Sequence, residues 1–359
     1  MIREEILDIK PYVPGKPIEE VKRELGIDDV IKLASNENPL GPSKQAIEAM
    51  EEAASKIHIY PHGSCHTLKK ILSKRLGVKK EEIIFGNGSD DILKFIGESF
   101  VKADEEVIIA RPSFSEYEFA TNLMGGNVVT VPLTNYKHDL DAMLKAITDR
   151  TKLVFICNPN NPTGTIVTQQ EVDAFMAEVP EDVIVVFDEA YQEYVTSDDY
   201  PETIDYLVDY DNVIILRTFS KVYGLAGLRI GYAISNEELI GYLNRVRPPF
   251  EVNSMAQVAA EATLQDQNHL DRSREVNFKG KEYLYQEFER LGLEYVPTEA
   301  NFILVDVKKD ANKVFADMQQ RGVIIRNAQA FGYETMIRVT IGTREQNQRL
   351  IDTLEKVLD

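Results

Sequence analysis

Lys152-Leu-Val-Phe-Ile-Cys157 and Val183-Ile-Val-Val-Phe187 are short apolar runs, and the stretch between them, Thr168 to Val179, spaces its apolar residues as a helix does. Strands that are apolar at nearly every position are covered on both faces, and two of them joined through a helix lie parallel in one sheet. The pattern repeats outward. Helix-period segments fall at Lys44 to Ile57, Thr67 to Leu76, Asp90 to Val101 and Asp139 to Ile147. Between them lie β-branched runs at Glu82 to Phe85, Glu106 to Ala110, Val128 to Leu133, Val213 to Leu216 and Arg229 to Ile234. The expected fold class is α/β, with a large doubly wound, mostly parallel sheet domain over residues 44–247. Ligands of such sheets sit beyond the carboxyl ends of the strands, so the residues that follow each run are the candidates for chemistry.

The rhythm changes at Arg245-Val-Arg-Pro-Pro249, where two prolines stop a helix and long helical patterns follow from Ser254 to about Leu291. Strand runs at Phe302 to Val307, Val323 to Arg326 and Met336 to Gly342 complete a smaller α+β domain over residues 248–359. Residues 1–43 contain Pro11, Pro14, Gly15, Pro17, Pro39, Gly41 and Pro42 and read as an extended arm that joins the smaller domain.

Composition excludes several classes of function. The 359 residues carry 40 Lys and Arg against 59 Asp and Glu, a net charge of −19 that repels nucleic acid and anionic membranes. No run of eighteen apolar residues occurs, and Met1-Ile-Arg-Glu-Glu-Ile-Leu-Asp-Ile-Lys10 lacks the apolar core of a signal peptide. Two cysteines, Cys65 and Cys157, are too few for a disulfide framework, so a reducing, cytoplasmic setting is expected.

The residues after the strands form an ordered set. Gly86-Asn-Gly-Ser-Asp-Asp91 leads into a helix whose free amides attract a phosphate; Asp91 stands where a dinucleotide fingerprint needs its third glycine. Ala110-Arg-Pro-Ser-Phe114 brings an aromatic ring to the sheet edge, and Phe114 or Tyr117 is either a platform for a flat cofactor or part of the core. Asn158-Pro-Asn-Asn-Pro-Thr-Gly164 is a stiff loop in which Asn161 can donate to a phenolate oxygen. Asp188, at the end of a buried strand, needs a cation, and a protonated pyridine nitrogen, a magnesium ion or a structural cap would each serve. Tyr191 follows three residues later. Thr218-Phe-Ser-Lys221, with Arg229 eight residues on, sets a lysine able to attack a carbonyl among the hydroxyls of Thr218 and Ser220 and a cation, as a pyridoxal-phosphate pocket requires.

With these motifs the chain resembles the fold-type I pyridoxal-phosphate aminotransferases, and among them the histidinol-phosphate aminotransferase family. The resemblance runs from Pro11-Tyr-Val-Pro-Gly-Lys16 and Leu33-Ala-Ser-Asn-Glu-Asn-Pro39 to Ile337-Arg-Val-Thr-Ile-Gly-Thr343, and is most specific at Asn160 to Gly164, Asp188 to Tyr191 and Ser220 to Arg229. It implies a pyridoxal 5'-phosphate cofactor bonded to Lys221, which also shuttles the proton, with Asp188 on the ring nitrogen and Asn161 and Tyr191 on the ring hydroxyl. It implies that Ser89, Asp90, Thr218, Ser220 and Arg229 hold the phosphate, joined by Tyr60 from a second subunit, so that the site belongs to a homodimer. Arg338 matches the family's anion-binding arginine, and Tyr12, Arg326 and Phe250 resemble residues at the far end of the substrate. The implied reaction moves an amino group between L-histidinol phosphate and 2-oxoglutarate or glutamate, both small molecules. Aromatic amino acids are alternative donors, and decarboxylation of the threonine-phosphate type would use the same cradle. The chain departs from the family at His58-Ile-Tyr-Pro-His-Gly-Ser-Cys-His66, where relatives often carry an acidic residue after Tyr-Pro. Pro61 and Gly63 prevent a regular helix from presenting His62 and His66 together, so no metal is expected there.

Overall fold

The computed structural model describes residues 2, 6, 7, 9 and 16–359. Its main sheet has seven strands: β1 (Ile83–Gly86), β2 (Glu106–Arg111), β3 (Asn127–Pro132), β4 (Thr151–Cys157), β5 (Ile184–Asp188), β6 (Val213–Thr218) and β7 (Gly231–Ser235). They lie in the order β1-β7-β6-β5-β4-β2-β3. All neighbours are parallel except at β7, which runs antiparallel to both β1 and β6. The inner strands β4, β5 and β6 are buried along nearly their whole length, which is why they read as apolar runs instead of alternating ones.

Each face of the sheet carries its own core. On one, Phe85, Phe187 and Ile215 pack with Leu68 and Leu72 of the helix His66–Leu76 and with Ala256, Ala259 and Ala260 of the helix Ser254–Thr263. On the other, Phe155 and Ile214 meet Ile92 and Ile96 of the helix Ser89–Phe100, together with Tyr117 and Leu243. Tyr117 belongs to the helix Glu116–Leu123, which the sequence pattern does not announce because it buries only Tyr117, Ala120 and Thr121. Among the described residues no helix is long and apolar enough to cross a membrane.

A second sheet has the order β10-β11-β9-β8, formed by β8 (Glu294–Val296), β9 (Phe302–Asp306), β10 (Arg326–Asn327) and β11 (Met336–Thr340). Leu284 and Phe288 of the long helix Gln267–Arg290 and Leu350 and Leu354 of the helix Arg344–Leu358 cover it. Burying side chains of this size contributes about 1.5–3 kcal/mol each.

Three boundaries differ from the sequence reading. Packing does not change near residue 248: Val252, Ala256, Leu264 and Leu270 all join the core of the main sheet, and the change of partner falls inside the helix Gln267–Arg290. The run from Val323 to Arg326 is two elements, since Val323–Ile324 pairs in parallel with Ile31–Lys32 while Arg326–Asn327 joins β11. Residues 18–25 are helical instead of extended. Pro17 is compatible with the helix start, Gly26 ends it at φ 66, and Val21 is fully buried beside Ala34 and Ile324.

Candidate active site

Strands β4, β5 and β6 end side by side, with Cys157 opposite Asp188 and Asp188 opposite Leu216. The loops that leave them therefore meet at one edge. Asp188 is 3% exposed, and its Oδ2 accepts a hydrogen bond from the Tyr117 phenol at 2.7 Å while Oδ1 accepts from the Ala190 amide at 3.2 Å. Burial pushes its carboxyl up to about 6, against the lowering effect of these two donors. A carboxylate so placed calls for a cation. Tyr117 itself is fully buried and stacked on Phe155 at 4.6 Å and 7°, so it is not an open stacking platform; that role is left to the half-buried Phe114, which meets Tyr117 edge-on at 5.6 Å.

Lys221 lies in the loop that returns β6 to β7. Its Nζ donates to the Ser35 carbonyl at 3.3 Å and lies 5.5 Å from the centre of the Tyr191 ring. Burial, reinforced by Arg338 and Arg229 and opposed by Glu37 and Asp90, brings its ammonium down to about 8. About a tenth of the amine is therefore neutral at pH 7, far more than for an ordinary lysine, and the neutral form is the nucleophile. Arg338 is 6% exposed and bridges the two sheets, donating from Nη1 to Asn161 Oδ1 at 2.5 Å and from Nη2 to the Ala34 carbonyl at 2.8 Å. Because Asn161 spends its oxygen on Arg338, its amide nitrogen is the end left to donate.

The turn before the helix Ser89–Phe100 forms an anion cradle. Gly88 occupies the N-cap at φ 90 with no side-chain cap, so the first amides of the helix keep their donor capacity. A Cβ on Gly88 would lie 2.4 Å from Arg229 Nη2, and one on Gly231 would lie 2.5 Å from the Ser89 nitrogen. Arg229 sits at φ 53 and pairs with Asp90 at 2.9 Å. Thr218 and Ser220, both buried, are joined by the Ser220 amide to the Thr218 hydroxyl at 3.0 Å. A phosphate fits this set: helix amides, two hydroxyls and a guanidinium approached by glycine backbone.

Tyr60 and Phe250 stand apart from this cluster. Tyr60 is 79% exposed, and its ring stacks on Phe250 at 4.7 Å, with Phe250 itself half-exposed at φ 60. Arg326 is the direct cross-strand partner of Arg338, which sets two guanidinium-bearing residues on one face of the second sheet. Tyr12 lies outside the described residues. At the histidine-rich loop His62 and His66 lie ring to ring at 5.9 Å and Cys65 is buried; among the described residues no three metal-binding side chains converge. A cavity of about 560 Å³ lined by Arg75, Glu193, Arg217 and Tyr232 is not lined by Asp188, Lys221, Arg229 or Arg338.

Sequence reasoning passed over two groups. Asn36, buried at φ 57, donates from its side chain to the Tyr191 hydroxyl at 2.9 Å, donates from its backbone to Thr340 Oγ1 at 3.0 Å and accepts from Asn301 at 2.9 Å. Asparagine tolerates this left-handed backbone, and polar residues in the Ser35-Asn-Glu-Asn38 run are the only signal in the sequence. The second is the buried pair Arg217–Glu189 at 2.8 Å, flanking Thr218 and Asp188, with Thr203 donating to Glu189 at 2.6 Å. Alternation along β6 gives no hint that an arginine inside an apolar strand has a partner.

A family model described as aminotransferase class I and II matches residues 28–354. The chain is 58% identical to a histidinol-phosphate aminotransferase of Moorella thermoacetica over 99% of its own length and 92% of the relative's. It is 50% identical to a histidinol-phosphate aminotransferase of Caldicellulosiruptor saccharolyticus over all of both chains. Among solved structures, the histidinol-phosphate aminotransferase of Sinorhizobium meliloti, in complex with pyridoxal-5'-phosphate, superposes with a TM-score of 0.91 at 30% identity, covering 99% of this chain and 97% of that one.

Proposed function

The chain belongs to the class I and II aminotransferase family, and from that premise we propose that it moves the amino group of L-histidinol phosphate to 2-oxoglutarate with pyridoxal 5'-phosphate as its resident cofactor, inside the cell and as a homodimer. The observation that carries this reading is the buried Lys221 amine, brought down to about 8 next to Tyr191 and in the field of Arg338 and Arg229. Full-length likeness to histidinol-phosphate aminotransferases gives the substrate.

The residues present fit the cofactor. The cradle at Gly88, Ser89, Asp90, Thr218, Ser220 and Arg229 would hold its phosphate, the glycines at 88 and 231 letting Arg229 and the Ser89 backbone approach where a Cβ would collide with them. Asp188 supplies the negative charge that a pyridinium nitrogen matches, Phe114 a face for the ring, and the Asn161 amide and Tyr191 hydroxyl the contacts to the ring oxygen. Bound there, the cofactor supplies an electrophilic carbonyl carbon and a ring that takes up the electrons of a broken C–H bond.

The chain's own residues do the rest. Lys221 Nζ is the group that would hold the cofactor, and as a free amine it would take up the proton from the substrate carbon that bears the amino group. Burial makes that base weak enough to be neutral and strong enough to accept the proton. Asp188 keeps its charge beside the ring nitrogen, and Asn36 fixes the Tyr191 hydroxyl. Arg338 and Arg326, paired across β10 and β11, receive the anionic end of either substrate. Exposed Tyr60, carrying Phe250 with it, reaches the phosphate cradle and substrate pocket of a second subunit.

Rates measured side by side with histidinol phosphate, phenylalanine and tyrosine as donors test the assignment, with glutamate and carbon dioxide both followed. A strong preference for the phosphorylated donor and glutamate release are expected. Equal rates with tyrosine, or carbon dioxide without glutamate, would overturn it in favour of an aromatic aminotransferase or a decarboxylase.

A further inference from the structure

Tyr117 has a part that neither its burial nor the family motifs assign. Its ring is clamped: stacked on Phe155 at 4.6 Å, touched edge-on by Phe114 at 5.6 Å, and carried on a helix whose Thr121 hydroxyl donates to the Tyr117 carbonyl at 2.8 Å. The one polar atom of this side chain, its hydroxyl, is delivered to Asp188 Oδ2 at 2.7 Å in a fully buried setting. Burial and the adjoining Asp188 hold the phenol's own ionisation far above its usual range, so it can only donate. Oδ1 of the same carboxylate takes the Ala190 amide at 3.2 Å. With one donor on each oxygen, both ends of the carboxylate are fixed by groups that cannot turn away.

We propose that Tyr117 is a positioning residue of the transamination site: its phenol keeps Asp188 ionised and fixes the edge that the carboxylate presents to the ring nitrogen of the cofactor. The inference rests on the assignment of Asp188 to that nitrogen. A hydrogen bond from a rigid, buried donor is strong because no water competes for it and no reorganisation accompanies it. Tyr117 thus acts on the cofactor through Asp188. Among the groups that act on Asp188, its hydroxyl is the strongest that favours the charged form.

Tyr117→Phe keeps the stacked ring and deletes only the hydroxyl. In the cofactor-free protein, the Asp188 carboxyl followed by carbon-13 NMR should titrate about one pH unit or more higher than in the parent. In the loaded protein, the nitrogen-15 resonance of labelled cofactor should shift toward the unprotonated ring nitrogen, and pyridoxal-phosphate affinity should fall about tenfold. In an Asp188→Asn background, the same deletion should change affinity less than twofold, because its target charge is gone. An unchanged carboxyl titration in Tyr117→Phe, or an equal affinity loss in both backgrounds, would overturn the proposal and reduce Tyr117 to core packing. If Asp188→Asn alone binds pyridoxal phosphate as the parent does, with an unaltered nitrogen-15 resonance, it is the assignment of Asp188 that fails.

Discussion

Replacing Asp188 with asparagine should make the cofactor-free protein more tolerant of rising pH while weakening its hold on pyridoxal phosphate. The carboxyl is held at about 6 in the fold against 3.8 when exposed, a difference of about 2 pH units, or about 3 kcal/mol. The sign follows from proton counting. Between pH 3.8 and 6 the folded chain keeps a proton that the unfolded chain has lost, so stability from this group is fully present below 3.8 and is lost as pH rises through 6. About half of the 3 kcal/mol disappears between pH 5 and pH 7. Asparagine cannot titrate, so the stability difference between variant and parent should move in the variant's favour by somewhat more than 1 kcal/mol over that interval. One of the two donors on Asp188 loses its acceptor in the variant, an offset of about 1 kcal/mol that does not depend on pH. Urea unfolding of both cofactor-free proteins at pH 5, 6 and 7, at one protein concentration, reads the difference directly. Parallel curves would refute the reasoning, since they would mean that the buried carboxylate carries no penalty and has no need of a cation.

Four further outcomes are expected. Lys221→Ala should still bind pyridoxal phosphate, seen by its absorbance after desalting, yet lose turnover by about a thousandfold or more. The rate at which cofactor-free protein captures pyridoxal phosphate should rise with pH and level off above about 8 in stopped-flow absorbance, whereas an ordinary lysine amine would keep gaining reactivity through pH 10. Gly88→Ala forces a Cβ to within 2.4 Å of Arg229 Nη2 at φ 90, a strain of about 1–3 kcal/mol, and should weaken cofactor binding about tenfold or more in an equilibrium titration. Mixing Tyr60→Ala with Lys221→Ala chains after partial unfolding should restore part of the activity if Tyr60 serves the neighbouring subunit, because a mixed dimer then holds one intact site; no gain over the separate variants would place Tyr60 outside the site.

The sequence by itself determined the main sheet and the order of its chemistry. Strands β4, β5 and β6 are buried on both faces, so they had to be apolar throughout, and any polar residue immediately after them stood out. Asp188, Asn161 and Lys221 were visible for that reason. Tertiary structure alone decided what those residues touch. Tyr117 on its helix and Asp188 on β5 are 71 positions apart, and Asn36 and Thr340 are 304 apart; contacts over such separations leave no local period to read. The end of the main-sheet core was hidden in the same way, because Ala256, Ala259 and Leu270 carry a helical pattern that says a face is buried without saying against which sheet. Local spacing encodes which side of an element is apolar; only the packing of distant segments specifies the partner, and with it the charge state of a buried carboxylate.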